Sequence, residues 1–176
     1  MNVRCSVRKG SSMTLLKSLG ILLAGLCLLG FATISGADDA IALKDLPKAV
    51  MTTITNRYPK AELTAARKTL EDKVEVYEVE LTHEKQLIEI AVFADGKIDW
   101  VAVDLPLNKL PKPVLIGVRK KYPTATLEHA STVSTVKNGK DQLEHYHVEV
   151  STKGGKKRAL DVLPNGMIED DEELTD

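Results

Sequence analysis

The chain of 176 residues repeats itself once, and this repeat constrains its fold more than any other feature of the sequence. When residues 46–66 are placed over residues 110–130, 9 of the 21 positions are identical. The identities include the dipeptides that begin and end one segment of each copy, which are Leu46-Pro47 with Leu110-Pro111 and Tyr58-Pro59 with Tyr122-Pro123. Two copies of one unit of about 60–65 residues therefore account for most of the chain.

Each copy begins with a predicted helix. Apolar residues recur every fourth position, as on one face of a helix, at Leu46, Val50, Ile54 and Tyr58 and again at Leu110, Val114, Val118 and Tyr122. Pro59 and Pro123 end these helices, because the residue before a proline avoids the helical backbone conformation. Each helix has only about 12 residues and is marginal alone, so it needs to pack on something.

The rest of each copy alternates apolar and polar residues, which indicates β-strands. The pattern places Tyr77 and Tyr146 at equivalent core positions, each facing the helix of its own copy. The predicted strands are 62–70, 74–82, 87–94 and 97–104 in the first copy, and 126–136, 142–151, 156–163 and 166–170 in the second. The sequence therefore predicts an α+β fold of two tandem repeats, each with one short helix packed on a four-stranded antiparallel sheet whose other face is open.

Residues 1–37 have the features of a secretory signal peptide. This segment contains four basic residues and no acidic one, an apolar stretch over Leu19–Ile34, and the small residues Ser35-Gly36-Ala37. The apolar stretch is shorter than the roughly 20 residues that a membrane anchor, the alternative, would need. We therefore expect cleavage before Asp38, export to the periplasm or the medium, and no stable membrane span afterwards.

The remaining residues divide into repeat 1 (38–106), repeat 2 (107–170) and an acidic tail (171–176). From residue 38 onward there are 20 basic and 25 acidic residues, which argues against nucleic-acid binding. The segment 169–176 holds six acidic residues in eight; we expect it to be disordered or to fold back on the basic turn 153–158. Because Cys5 and Cys27 both precede residue 38, the exported chain has no disulfide and no thiolate metal site.

The order of motifs resembles that of the PepSY-like domains, whose fold is that of the beta-lactamase inhibitor protein. The motifs are Leu-Pro and Tyr-Pro around each helix, the strand Val76-Tyr77-Glu78-Val79, and the turn Asp95-Gly96-Lys97. The resemblance implies small extracytoplasmic domains in tandem, each with a helix against an antiparallel sheet. Enzyme inhibition through the open sheet face is the activity of the relative that names the fold. The disulfides of that inhibitor are missing from this chain.

We find no catalytic residues and no cofactor motif in the sequence. After residue 37 the only serines are Ser131, Ser134 and Ser151, and none lies in the G-x-S-x-G motif of a nucleophile elbow. No glycine follows the spacing of a phosphate-binding loop. We therefore expect a protein that is not an enzyme.

His145 and His147 are candidates for metal or partner binding, because alternate strand residues project from the same face. With Glu149, which shares that face, they could hold Zn²⁺ or Cu²⁺. The alternative without a function is that they are two surface histidines without a partner. Trp100 has no apolar counterpart in repeat 2, since it aligns with Asp170. It is a candidate partner contact if exposed on the face of the histidines; alternatively it packs between the repeats.

The sequence thus predicts an exported, non-enzymatic binding module. It would act as an inhibitor of, or an adaptor for, an unidentified extracytoplasmic protein, which it would bind through its open sheet faces. The alternative is a periplasmic protein that binds a small ligand or a metal through the histidine pair or the acidic tail.

Overall fold

The computed structural model describes residues 39–71 and 73–174. In this part, nine strands form one antiparallel sheet in which each strand pairs with its neighbours in chain order. The helices are α1 (Lys48–Arg57) and α2 (Lys112–Lys121), each preceded by a short 3-10 turn. The strands are β1 (Asp39–Ala40), β2 (Glu62–Glu71), β3 (Val74–His83), β4 (Gln86–Phe93), β5 (Ile98–Asp104), β6 (Thr126–Lys137), β7 (Lys140–Ser151), β8 (Lys157–Val162) and β9 (Ile168–Leu174).

The two repeats share one sheet. Repeat 1 contributes α1 and β2–β5, and repeat 2 contributes α2 and β6–β9, which confirms the α+β class. The expectation of two separate four-stranded sheets is wrong, because β5 pairs with β6 from Trp100↔Thr135 to Asp104↔Ser131. Two separate sheets would leave both of these strands as edges with unpaired backbone groups, and the pairing satisfies those groups.

Both helices lie on the same face of this sheet. Residues paired directly across an antiparallel ladder project to one side. Val103 of β5, which packs against the core under α1, pairs with Thr132, and Thr132 pairs with Tyr146, which packs against the core under α2. One side of the sheet therefore carries both helices, and the other side carries none in the described part of the chain.

Each helix buries its apolar stripe against the strands of its own repeat. Val50 and Ile54 of α1 pack with Tyr77, and Val114 and Val118 of α2 pack with Tyr146. The predicted direction of both tyrosines is thus confirmed. Their burial differs, since Tyr77 is buried whereas Tyr146 is only partly buried.

The second repeat reaches back onto the first through the long β6–β7 hairpin. Val136 of β6 packs against the core under α1. Arg57, at the end of α1, donates to both carboxylate oxygens of Asp141 at 2.6 and 2.7 Å. The strands of this hairpin have 12 residues each, against 10 each in β2 and β3, and their extra length brings repeat 2 into contact with repeat 1.

The acidic tail is ordered as far as residue 174, so the prediction of disorder is wrong for this part. β9 pairs with β8 over Lys157↔Leu174 to Val162↔Ile168. Lys156 contacts Glu173 at 3.0 Å, and Arg158 contacts Asp171 at 2.5 Å. The carboxylates of the tail thus lie on the basic strand and turn, as the alternative prediction required. The predicted signal peptide, Asp38 and residues 175–176 lie outside the described residues.

Neither α1 nor α2 has the length and apolar composition of a membrane span, and no other helix of the described chain has them.

Each helix contacts the turn between the last two strands of its repeat. In repeat 1 the Thr53 hydroxyl donates to the carbonyl oxygen of Gly96 at 2.7 Å. In repeat 2 the equivalent helix residue is Gly117, which lies directly against Gly166. Gly166 has a φ of +90°, and a Cβ on it would collide with the carbonyl oxygen of Pro113. The close contact between α2 and this turn therefore leaves no space for a side chain at Gly117 or at Gly166.

We predict that Gly166→Ala lowers the free energy of unfolding by at least about 2 kcal/mol, because it combines a left-handed backbone with a backbone collision. The matched control is Gly154→Ala, since nothing lies within 4 Å of a Cβ at Gly154. Urea denaturation of both variants measures the difference. Equal midpoints for the two variants would contradict the close helix–turn contact.

Candidate functional site

The face of the sheet opposite the helices runs without interruption through both repeats. Cross-strand pairs join it from Glu80 through Glu89, Ala102 and Val133 to His145, which crosses from β3 to β7. We call this surface the helix-free face, and its central residues are Glu78, Glu80, Glu89, Ala91, Trp100, Ala102, Asp104, Ser131, Val133, His145, His147 and Asp161.

Trp100 lies on the helix-free face with the histidines, but it lacks the exposure that a partner contact would require. Its side chain is 3% exposed and belongs to a cluster with Val76, Ala91, Ala102 and Val133. Since Val133 comes from repeat 2, the indole packs across the junction of the repeats, which was the alternative interpretation. A direct contact between Trp100 and a partner stays a prediction.

A carboxylate cluster surrounds Arg67 on this face. The guanidinium of Arg67 pairs with Glu78 and Glu89 and lies 3.8 Å from Glu80. Glu89 is only 5% exposed. Burial raises the pKa of Glu89 to about 8; the charges of Glu78 and Glu80 act in the same direction, while Arg67 and His147 oppose them. Glu89 therefore favours its protonated form near neutral pH.

The two candidate histidines share one carboxylate. Asp161 of β8 lies 2.9 Å from Nδ1 of His147 and 3.5 Å from Nε2 of His145. Burial lowers the pKa of His147, but the Asp161 and Glu149 carboxylates outweigh burial and raise that pKa to about 9. The interpretation of His145 and His147 as surface residues without a partner is therefore wrong.

Metal binding by His145 and His147 stays a prediction. The predicted third ligand, Glu149, lies 3.9 Å from Nε2 of His147. Among the described residues, no group of three or more His, Cys, Asp or Glu side chains is arranged to hold a metal ion. His147 instead forms a hydrogen bond with Asp161, and Nε2 of His145 lies 3.5 Å from the same carboxylate.

A depression opens on the helix-free face beside the carboxylate cluster. It encloses about 330 Å³ of empty space, part of which is open to solvent. Its polar lining consists of Glu80, Glu89, Asp104, His129 and Ser131. Nε2 of His129 lies 2.8 Å from Oδ1 of Asp104. Sequence analysis missed these residues, although their alternation with Val79, Ile90 and Val103 places the acidic ones on the face away from the helices.

Comparisons with known proteins agree with this architecture. The family described as "Putative beta-lactamase-inhibitor-like, PepSY-like" matches residues 33–98 and again residues 89–168. The chain is similar to a BLIP-like protein of Bacteroides fragilis, with a TM-score of 0.53 and 20% identity over 74% of this chain and 88% of that one. It is also similar to one of the "putative periplasmic proteins" of Bacteroides eggerthii, with a TM-score of 0.58 and 12% identity over 73% of this chain and 89% of that one. At these identities the likeness shows the fold. No curated protein matches the chain.

We predict that the folded chain loses stability as the pH rises from about 5 to 9. The pKa of Glu89 is raised from 4.5 to about 8, so its stabilising proton is fully bound below 4.5 and is lost as the pH passes 8. The pKa of His147 is raised from 6.5 to about 9, so its contribution is present below 6.5 and is lost as the pH passes 9. Urea midpoints measured at pH 5, 7 and 9 should therefore decrease.

Glu89→Gln should remove the part of this decrease that lies below pH 8, because glutamine imitates the protonated carboxyl group. The control is Glu84→Gln, which changes an exposed residue of the β3–β4 turn and should keep the wild-type profile. A wild-type midpoint that stays constant or rises over this range would refute the assignment.

Proposed function

Since this chain belongs to the beta-lactamase-inhibitor-like, PepSY-like family, we propose that it is an exported, non-enzymatic module that binds another extracytoplasmic protein through its helix-free face. The partner is held as a target of inhibition or as a client of an adaptor. The observation that carries this proposal is the continuity of the helix-free face through both repeats.

The size of the helix-free face supports a macromolecular partner. Strands β2 to β9 span roughly 34 Å at the usual spacing, and about seven residues along each strand span roughly 23 Å. Their product, roughly 800 Å², equals what one protein contributes to a standard protein–protein interface. A surface of this area, without a helix over it in the described chain, suits a folded partner better than a small molecule.

The chemistry of the face also supports partner binding. Sheet positions hold side chains on a rigid scaffold, so the presented groups need little ordering when a partner binds. The exposed part of this face includes the apolar residues Leu87 and Val74 as well as the carboxyl groups of Glu80 and Asp104. This mixture of apolar and charged groups is typical of non-obligate interfaces.

The alternative function is the binding of a small ligand or a metal. The depression beside Glu89 favours the small ligand over the metal, since concave sites lined by both apolar and polar residues are typical of ligand binding. We prefer a protein partner because the depression occupies only a small part of the face.

Export is supported by the features of residues 1–37 and by the description of the Bacteroides eggerthii protein as periplasmic. We predict that the exported protein begins at Asp38. Intact-mass analysis of protein recovered from the extracytoplasmic fraction measures this directly. Recovery of the uncleaved mass in the membrane fraction would indicate an anchor instead.

We predict that a photo-crosslinking residue on the helix-free face captures a partner in the cells that naturally produce this protein. Suitable positions are Leu87 and Val74, which are 41% and 50% exposed on this face. The matched control is Ile116 on α2, which is 66% exposed on the helix side of the sheet. Gel shifts and mass spectrometry should identify one adduct common to Leu87 and Val74.

The same adduct from Ile116, or adducts from Ile116 alone, would contradict binding through the helix-free face. The absence of any adduct at Leu87 and Val74, with protein present at the normal level, would contradict the binding function itself.

A further inference from the structure

We infer that the depression on the helix-free face receives a lysine or arginine side chain of the bound protein, an inference that rests on the proposed function. The polar residues that would hold this side chain are Glu80, Glu89 and Asp104, on three adjacent strands.

The depression has an exposed rim and a buried floor. Glu80 is 30% exposed and Asp104 is 41% exposed, so both carboxylates meet solvent at the edge. Glu89 lies below them and is almost fully buried. A long side chain with a charged end can therefore enter from the partner's surface, while its aliphatic part passes the apolar rim residue Leu87.

Acidic groups outnumber basic groups around the depression. Glu78, Glu80, Glu89 and Asp104 supply four carboxyl groups within one patch of β3, β4 and β5. Arg67 is shared among the first three, and the imidazole of His129 faces Asp104. Even with Glu89 protonated, three carboxylates face one guanidinium and one imidazole. An incoming cation is attracted to this patch, whereas an anion is repelled.

A buried acceptor also lacks a hydrogen bond. Oε1 of Glu89 pairs with Arg67, but Oε2 is buried and has no hydrogen-bond partner in the described part of the chain. Nδ1 of His129 is likewise buried and has no hydrogen-bond partner in the described part of the chain. When Nε2 of the neutral ring donates to Asp104, Nδ1 is an acceptor. Buried acceptors without donors are costly. An ammonium or guanidinium group carries several donors and no acceptor, so its entry displaces the proton of Glu89 and satisfies both acceptor atoms.

The first arm of the test uses small cations with the exported chain (residues 38–176). Butylammonium and butylguanidinium imitate the two side chains, and butanol is the neutral probe of matched length. Amide NMR spectra at constant ionic strength should show saturable shifts at Ala102, Asp104 and Ser131 with both cations and none with butanol.

Two substitutions test the carboxylates. Asp104→Asn, on the exposed rim, should weaken binding of the cations about two- to fivefold, as expected for a partly exposed ion pair. Glu89→Gln should weaken it about tenfold, because a buried cation needs the ionised form of Glu89, and glutamine cannot release a proton as Glu89 does. Asp45→Asn, which changes an exposed carboxylate before α1, is the control and should bind the cations as the wild type does.

The second arm uses the partner adduct formed from a photo-crosslinking residue at Val74, which lies on the helix-free face but does not line the depression. Asp104→Asn and Glu89→Gln should each reduce the yield of this adduct by a similar factor, and Asp45→Asn should not. Saturable cation binding together with this loss would establish the inference.

Failure of the inference is distinguishable from failure of the proposed function. No saturable binding of the cations, with the adduct still formed, overturns the inference and leaves the partner-binding face standing. Cation binding with an unchanged adduct yield also overturns it, since the depression would then hold a free cation and not a side chain of the partner.

Discussion

The ladder between β5 and β6 is the interaction on which the rest of the structure depends. Five residue pairs, from Trp100↔Thr135 to Asp104↔Ser131, join the sheets of the two repeats. This register places α1 and α2 on the same side. A shift of one residue would reverse every side chain of β6 relative to β5. The helix-free face, the cluster around Trp100 and the depression beside Glu89 all exist because this register holds.

The local spacing of apolar residues predicted the helices and most strands, because helix and strand periodicity can be recognised within a short run of consecutive residues. The predicted strand 74–82 matches β3, and the residue before Pro59 ends α1, as expected. The β5–β6 ladder could not be predicted in this way, since it depends on which edges meet in space. The acidic tail shows the same limit: its composition indicates disorder, but Lys156 and Arg158 lie close enough to order it.

Alternation along a strand predicts which face a side chain takes, but not how deeply it is covered. His147 projects to the helix-free face as its parity requires, yet it is buried between carboxylates. Glu89 is a stronger example, because a charged residue on the face away from the core would ordinarily be solvated. Comparison of the two repeats singled out Trp100 and the histidine pair as candidate site residues. It did not single out Glu89, whose buried carboxyl group has an oxygen without a hydrogen-bond partner in the described chain.

The contact between Arg57 and Asp141 shows that the unit repeated in the sequence differs from the unit that folds. Repeat 1 alone would lose this ion pair and the Val136 side chain that closes its core, and it would expose the edge of β5. Repeat 2 alone would expose the edge of β6. Within the joined sheet the two copies differ in what they present: repeat 1 supplies most of the carboxylates of the helix-free face, and repeat 2 supplies its histidines.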